Sequence, residues 1–191
     1  PAVKLSDSGA YTLLTIADGC MGRDTVDIEV KQRPSPVLFA GNVCTGDTLR
    51  ISAGYIPGAT YEWSGPGSII FTARDTAFIN ATTTLGGSYK VKITANGCEA
   101  LDSINASVKA RPYKPNGSLN TPLCELSDLH LSAFDTTVAV SYYWTTPSSD
   151  ILYGSDNYIR KIGLTESGTY ILVAEKDGCK TTDSFDVQVM H

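Results

Sequence analysis

One pattern occurs three times in this chain at a nearly constant spacing. Each copy has a glycine two residues before a tyrosine, a cysteine nine residues after that tyrosine in a Gly-Cys pair, and then an Asp-Ser or Asp-Thr pair. The tyrosines of the three copies are Tyr11, Tyr89 and Tyr170, and the two intervals between them are nearly equal. Self-similarity at a fixed period is typical of an array of one small module, not of a single large fold.

The first half of the module occurs only twice. Cys44 and Cys124 are separated by almost the same interval as the tyrosines, and so are Trp63 and Trp144. We therefore expect the C-terminal strands of an incomplete module over residues 1–33, one whole module over residues 34–112 and another over residues 113–191. On this interpretation the chain starts partway through a module.

The five cysteines follow the same repeat. The interval from Cys44 to Cys98 is only one position shorter than the interval from Cys124 to Cys179. This matched spacing predicts the disulfides Cys44–Cys98 and Cys124–Cys179, with Cys20 unpaired because its partner would lie upstream. The alternative is a set of free thiols in a cytosolic protein. A small module with a thin core favours disulfides, which belong to an oxidising compartment.

Apolar residues alternate with polar ones in most of each module, which is typical of β-strands. The stretch from Asp183 to Val189 alternates strictly, and the stretches after Cys20 and Cys98 follow the same period. Asn-Gly or Asp-Gly precedes each of the three repeated cysteines, which is a strong signal for a tight β-hairpin. No window has a convincing helical period. The sequence therefore predicts an all-β chain of tandem immunoglobulin-like β-sandwich modules, each with one disulfide.

Several residues resemble landmarks of an immunoglobulin domain. The segments Asp7–Tyr11 and Glu166–Tyr170 resemble the tyrosine corner before strand F, and two tryptophans resemble the strand-C tryptophan. The cysteine that an antibody domain has two residues after that tyrosine is absent here, so the disulfide lies elsewhere. The core and tyrosine-corner residues that this resemblance implies are Trp63, Trp144, Tyr11, Tyr89 and Tyr170.

The order of these motifs is similar to that in one group of bacterial surface proteins. The segments Cys44–Leu49, Tyr61–Pro66, Gly87–Tyr89 and Asn96–Cys98 resemble the tandem Ig-like and PKD-like repeats of Bacteroidetes cell-surface adhesins, including gliding-motility adhesins of the SprB type. The resemblance implies an exported protein at the bacterial surface or outside the cell. It also implies that neighbouring Ig-like modules of the same chain are partners.

A short tripeptide resembles the O-glycosylation acceptor of exported Bacteroidetes proteins. It consists of aspartate, then serine or threonine, then a small or aliphatic residue, and it would carry a sugar on the hydroxyl. The alternative is structural, since a polar pair before an apolar run commonly opens a strand. The candidate O-glycosylation residues are Thr25, Thr48, Thr76, Ser103 and Thr136.

Composition argues against several classes of function. The net charge is −5 and no basic run occurs, which disfavours nucleic acid and anionic membrane as partners. No apolar stretch approaches the 18 residues or more of a membrane-spanning segment, so we expect no direct membrane insertion. No spacing of cysteine or histidine suggests a metal site, and no catalytic triad or phosphate loop occurs. We therefore expect no metal, no cofactor and no enzymatic activity.

Two functional hypotheses remain. The first is a non-catalytic structural or adhesive repeat of a long bacterial surface protein, and the second is an accessory carbohydrate-binding module of a secreted multidomain enzyme. Surface polysaccharides and host or substratum glycans are the candidate ligands. The scattered aromatic residues that could stack on sugars are Tyr55, Phe71, Tyr113 and Tyr153, and the alternative is that they anchor loops. Ile171 and Val173 are predicted to point outward from strand F and to mark an inter-module contact or partner surface; the alternative is that a loop or glycan covers them.

Overall fold

The computed structural model describes residues 2–134 and 139–191. The glycosylation candidate Thr136 therefore lies outside the described residues. Strands and turns make up most of the described chain, together with four single-turn 3₁₀ helices, which are Leu5–Asp7, Pro66–Ser68, Thr83–Leu85 and Leu164–Glu166.

The chain divides into two compact units. The first contains the residues up to Gly41, Leu49–Phe78 and Thr84–Ser107. The second contains Asn42–Thr48, Ile79–Thr83 and Val108–His191. Two short segments of the middle repeat, 42–48 and 79–83, thus pack with the C-terminal residues. The module bounds given by the repeat remain a prediction.

The strands are numbered in chain order. Those up to residue 109 are β1 (Gly9–Ala17), β2 (Cys20–Ile28), β3 (Leu38–Ala40), β4 (Asn42–Cys44), β5 (Leu49–Ala53), β6 (Thr60–Ser64), β7 (Ile70–Phe71), β8 (Asp75–Phe78), β9 (Gly87–Ala95) and β10 (Cys98–Lys109). The remaining strands are β11 (Asn116–Leu119), β12 (Leu123–Cys124), β13 (Leu129–Phe134), β14 (Ser141–Thr145), β15 (Ile151–Tyr153), β16 (Asp156–Ile159), β17 (Gly168–Lys176), β18 (Cys179–Val187) and β19 (Val189–Met190).

The first unit is a two-sheet sandwich with alternating buried residues. One sheet has the order β3-β5-β8, and the other contains β10-β9-β6-β7. The sheets meet through aromatic rings, since Phe78 of β8 lies 6.3 Å from Tyr89 of β9 between ring centroids. Leu49, Ile51 and Trp63 are almost fully buried. Burying a large apolar side chain stabilises a fold by about 1.5–3 kcal/mol, so these positions supply much of the core energy.

The second unit repeats this arrangement strand for strand. Its sheets have the orders β11-β13-β16 and β15-β14-β17-β18, with β12 pairing in parallel to β19. Trp144 of β14 packs against Phe185 of β18 at 5.6 Å between ring centroids. Leu129, Leu131 and Leu172 are fully buried beside them. The sequence repeat is therefore also a structural repeat.

All three copies of the hairpin have a two-residue turn. Ala17 pairs with Cys20, and the same register closes the other two hairpins. Both turn residues have positive φ in every copy, for example 52° at Asn96 and 78° at Gly97. A residue pair with positive φ is what a type I′ turn requires, and asparagine and glycine adopt it at low cost. The predicted hairpins are confirmed.

The first hairpin differs from its two repeats in burial. Every residue of β1 and β2 is exposed. Tyr11 is 49% exposed and Leu13 is 64% exposed, whereas the repeat-equivalent Tyr89 and Val91 are buried at 0% and 1%. The apolar face of this hairpin is therefore uncovered in the described structure.

Candidate functional site

The structure joins Cys44 to Cys179 in a disulfide. Cys44 ends β4 and Cys179 begins β18; their Cα atoms are 5.8 Å apart and their positions in the chain differ by 135 residues. Cys20, Cys98 and Cys124 carry free thiols. The bond lies within the second unit, because Asn42–Thr48 packs there.

The predicted pairs Cys44–Cys98 and Cys124–Cys179 are therefore wrong in this structure, as is the expectation of one disulfide in each module. A disulfide needs Cα atoms within about 7 Å. Cys44 packs in the second unit, and the hairpin cysteine of that unit is Cys179. Equal spacing could not distinguish a bond inside one module from a bond to the next, because both are equally periodic. Cys20 is free.

Arg111 holds the Cys44 loop against the Cys179 hairpin. Its backbone N–H donates to Thr45 Oγ1 at 3.1 Å, and its Nε donates to the Thr45 carbonyl at 2.9 Å. Its Nη2 donates to Asp47 Oδ1 at 2.6 Å, and its Nη1 donates to the Lys180 carbonyl at 2.8 Å. One guanidinium thus contacts both chain segments that the disulfide connects, and its planar fork suits such multiple contacts.

The residues around Arg111 are fixed by further hydrogen bonds. Lys109 Nζ donates to the Asp177 carbonyl at 2.9 Å, and Thr181 Oγ1 donates to the Pro112 carbonyl at 2.8 Å. The Sγ atom of Cys179 lies 3.9 Å from the Lys109 carbonyl oxygen. The stretch 109–112, which includes the Arg-Pro pair of the repeat, is therefore held against the hairpin by both backbone and side-chain contacts.

The carboxylate of Asp47 accepts hydrogen bonds at this junction, and these bonds lower its pKa. Asp47 Oδ2 accepts the backbone N–H of Cys44 at 3.1 Å, and this bond is the main reason why the pKa of Asp47 lies below its ordinary value of 3.8. The hydrogen bond from Arg111 lowers the same pKa further. The ionised form of Asp47 is the one that the folded loop favours.

The predicted tyrosine-corner residues make the expected hydrogen bond in all three copies. The hydroxyls of Tyr11, Tyr89 and Tyr170 donate to the carbonyl four residues earlier, at distances of 2.9, 2.9 and 3.1 Å. Tyr89 and Tyr170 are fully buried, and burial raises the pKa of both phenols. Trp63 and Trp144 are also buried, with 1% and 0% exposure.

The glycosylation candidates differ in accessibility. Thr25 and Ser103 are exposed, whereas Thr48 and Thr76 are half-buried. Asp24 Oδ1 accepts the N–H of Thr25 at 2.9 Å, and aspartate makes the same contact to Ser103 at 2.7 Å. This contact gives the tripeptide a local structural role in its strand. Glycosylation stays a prediction, and an intact mass above 20.4 kDa for this segment from its natural source would support it.

Two exposed tyrosines occupy different surroundings. Tyr55 is 71% exposed and borders a shallow hollow of 690 Å³ that Tyr61 and Arg74 also line. The guanidinium carbon of Arg74 lies 5.9 Å from the centroid of the Tyr55 ring. Tyr153 is 77% exposed, 6.1 Å from the Tyr143 ring.

The expected outward pair on strand F is found only in part. Ile171 is 39% exposed, but Val173 is buried at 5%. The cross-strand neighbours of Val173 are Tyr143 and Thr182, which share its side of the sheet. Val173 is not part of the buried core cluster that holds Tyr170 and Leu172, so it lies on the outer side of strand F as predicted, but its side chain is covered there.

The described residues contain neither a metal-binding cluster nor a membrane-spanning helix. Within residues 2–134 and 139–191, no cluster of three or more His, Cys, Asp or Glu side chains is arranged to hold a metal ion. The same part of the chain contains no helix with the length and apolar character needed to cross a membrane.

Comparisons with known proteins support the fold. No family model matches the chain, and no curated protein matches it significantly. A solved structure of the eight N-terminal Ig domains of Down syndrome cell adhesion molecule matches with a TM-score of 0.54 at 14% identity, covering 100% of this chain and 29% of that one.

Two weaker matches are also tandem or multi-domain structures. Murine CEACAM1b matches with a TM-score of 0.47 at 11% identity, covering 81% of this chain and 100% of that one. The titin fragment I67–I69 matches with a TM-score of 0.43 at 14% identity, covering 99% and 77%. Identities this low give information about the fold alone. The predicted fold class is confirmed: the chain is all-β, with tandem immunoglobulin-like sandwiches.

Proposed function

We propose that the chain is a non-catalytic structural or adhesive repeat segment of a long bacterial cell-surface protein. The observation that carries this proposal is the junction at Arg111, where a disulfide and several hydrogen bonds tie the start of one sequence repeat to the hairpin of the next. Such a junction resists separation of neighbouring repeats. Resistance of this kind is useful in a stalk or adhesive fibre and has no evident use in catalysis.

The disulfide and the repeat motifs support the location. A disulfide persists in an oxidising compartment, as at a cell surface or in secreted proteins. The resemblance of the repeats to Bacteroidetes adhesins supports an adhesin stalk, with gliding motility as the process it serves. Neighbouring Ig-like modules are its covalent partners, and surface polysaccharides or substratum glycans are its proposed ligands.

Labelling of the natural host tests this function. Antibodies raised against the 191-residue chain should bind intact cells, and external protease should remove the signal. Deletion of the repeats should reduce attachment to glass and slow surface movement, while growth in liquid stays normal. A signal seen only after cells are permeabilised would contradict the proposal.

The hollow beside Tyr55 favours a second candidate, an accessory carbohydrate-binding module. An exposed tyrosine ring next to a guanidinium offers an apolar face and hydrogen-bond donors, which is a combination suited to a sugar ring. A glycan array tests it directly. Binding by the chain that Tyr55→Ala removes and Tyr113→Ala retains would support this candidate, because Tyr113 is 78% exposed and does not line the hollow. An array without any signal would eliminate it.

A further inference from the structure

The free cysteines occupy the same repeat positions as the bonded ones. Cys124 occupies the position of Cys44, since each precedes by five residues the first leucine of a buried strand. Cys98 occupies the position of Cys179, since each follows a two-residue turn and begins the second strand of its hairpin. The repeat therefore has two cysteine positions, the first cysteine (Cys44, Cys124) and the hairpin cysteine (Cys20, Cys98, Cys179). Each position is bonded in one copy and free in at least one other.

The loop at Cys124 already has the conformation of the bonded loop at Cys44. Gly46 and Leu126, in equivalent positions, both have positive φ, at 89° and 68°. The four backbone hydrogen bonds that shape the Cys44 loop recur at the Cys124 loop with nearly equal lengths. In the Cys44 loop, the bonds are Asp47 N to Cys44 O at 3.1 Å, and Gly46 N to Ala81 O, Ala81 N to Asp47 O and Thr45 N to Lys109 O, each at 2.8 Å. In the Cys124 loop, their equivalents in the same order are Ser127 N to Cys124 O at 3.2 Å, Leu126 N to Ile162 O at 2.8 Å, Ile162 N to Ser127 O at 2.8 Å and Glu125 N to Met190 O at 2.7 Å.

Cys98 is also placed like its bonded equivalent. Its Sγ lies 3.9 Å from the carbonyl oxygen of Lys31, and the Sγ of Cys179 lies 3.9 Å from the carbonyl oxygen of Lys109. Both lysines stand two residues before an Arg-Pro pair. The hairpin cysteine thus rests on the same linker carbonyl in both units, whether or not it is bonded.

Exposure differs between the bonded and free positions. Cys179 is buried at 1%, whereas Cys98 is only half-buried and Cys124 is exposed. The two free thiols are therefore accessible in a backbone arrangement that, at the equivalent positions, contains a disulfide.

We propose that Cys98 and Cys124 each form a disulfide with an adjacent module of the same kind. In this scheme, the first cysteine of one module bonds the hairpin cysteine of the next module, as Cys44 bonds Cys179. Cys124 then pairs with a hairpin cysteine about 135 residues further along the chain, the separation of the observed pair. Cys98 pairs with a first cysteine that lies the same distance upstream, and Cys20 with one still earlier. Each module becomes covalently tied to both neighbours.

This inference rests on the tandem array of the proposed function and adds its covalent connectivity. Formation of each bond removes two protons and two electrons from two thiols. A disulfide oxidant accepts them: with oxidised glutathione, two protein thiols give one protein disulfide and two molecules of reduced glutathione. Overlapping bonds of this kind link every module to the next in addition to the peptide chain.

An extended chain tests the pairing. A second copy of residues 33–112 is fused after His191. The copied Arg33-Pro34 pair then follows the last module in the same repeat position in which Arg111 and Pro112 follow the middle module. The fusion is oxidised with glutathione, and its thiols are counted after denaturation with a disulfide reagent. The original chain should show three thiols. The fusion adds two cysteines and should again show three, because Cys124 pairs with the hairpin cysteine of the copy.

A variant separates this result from bonding inside the copy. In the fusion carrying Cys124→Ser, the proposal predicts four thiols, whereas a bond inside the copy would leave two. Non-reducing peptide mapping should recover a Cys124 peptide linked to the copied hairpin. Five thiols in the unsubstituted fusion, or a bond inside the copy, would overturn the proposal. Neither outcome affects the cell-surface test of function, which involves no thiol measurement.

Discussion

At the scale of single residues, the tyrosine corner shows how much a local motif can predict. Its hydrogen bond spans only four residues, so the sequence that specifies it is contiguous, and all three copies form it. Its energetic value nevertheless depends on burial, which the motif does not encode. Tyr170 is fully buried and Tyr11 is half exposed.

We therefore expect Tyr170→Phe to reduce the free energy of unfolding by about 1 kcal/mol, because it leaves the Glu166 carbonyl without its donor. Tyr11→Phe should change it by less than about 0.5 kcal/mol, as is usual for exposed positions. Urea denaturation followed by tryptophan fluorescence measures the effect of Tyr170→Phe, since Trp144 lies in the same core as Tyr170, and Tyr11→Phe serves as the exposed control. Equal losses in the two variants would show that the exposed hairpin is covered in solution.

The lowered pKa of Asp47 predicts that its hydrogen bond with the Cys44 amide depends on pH. Its pKa is lowered in the folded chain, so its contribution to stability is present above the ordinary value of 3.8 and is lost as pH falls through the lowered pKa. The Cys44 amide, which donates to Asp47, should lose its NMR hydrogen-bond shift over that acidic range. Asp47→Asn should remove the transition while leaving the acid response of Asp183 in place, because the pKa of Asp183 is lowered mainly by Lys114. An unchanged titration of the Cys44 amide in the variant would contradict this assignment.

At the scale of strands and loops, the first hairpin is the element whose environment is incomplete. The equivalent of its apolar face is buried in both other copies, and an isolated hairpin is marginal in water. We expect the amides of β1 and β2 in this chain to exchange with solvent at least tenfold faster than those of β9 and β17. Hydrogen–deuterium exchange with peptide resolution measures this. Protection equal to that of β17 would mean that another chain covers Tyr11 and Leu13.

The strands and hairpins could be predicted because their signals are local. Alternation with period two and the Asn-Gly or Asp-Gly turns act within a few residues, and β9, β10, β17 and β18 follow them. The path of Asn42–Thr48 could not be predicted in this way. Its position depends on hydrogen bonds to Arg111 and to the Lys109 carbonyl, which lie far along the chain from this segment. The error in the cysteine pairing has this origin.

At the scale of the whole molecule, one bond determines how much chain can be extended by force. The Cys44–Cys179 disulfide closes a loop of 135 residues. On the chain-entropy model, a loop of this length raises the free energy of the unfolded state by about 5 kcal/mol. When the chain is pulled from its ends, the residues inside that loop cannot lengthen until the bond is reduced. The disulfide therefore limits the extension of the unfolded chain.

Single-molecule force spectroscopy should detect this limit. A fully extended chain spans about 3.3–3.6 Å per residue, so reduction should lengthen the unfolded chain by roughly 450–490 Å, less the short span of the bond itself. Cys44→Ser should give the long extension without reductant, because no bond can form. Cys98→Ser should behave like the unsubstituted chain, because Cys98 is free in the structure. If Cys98→Ser instead abolished the effect, or if reduction released only the length of chain between Cys44 and Cys98, the bond in solution would lie within one module and would not resist the separation of neighbouring repeats.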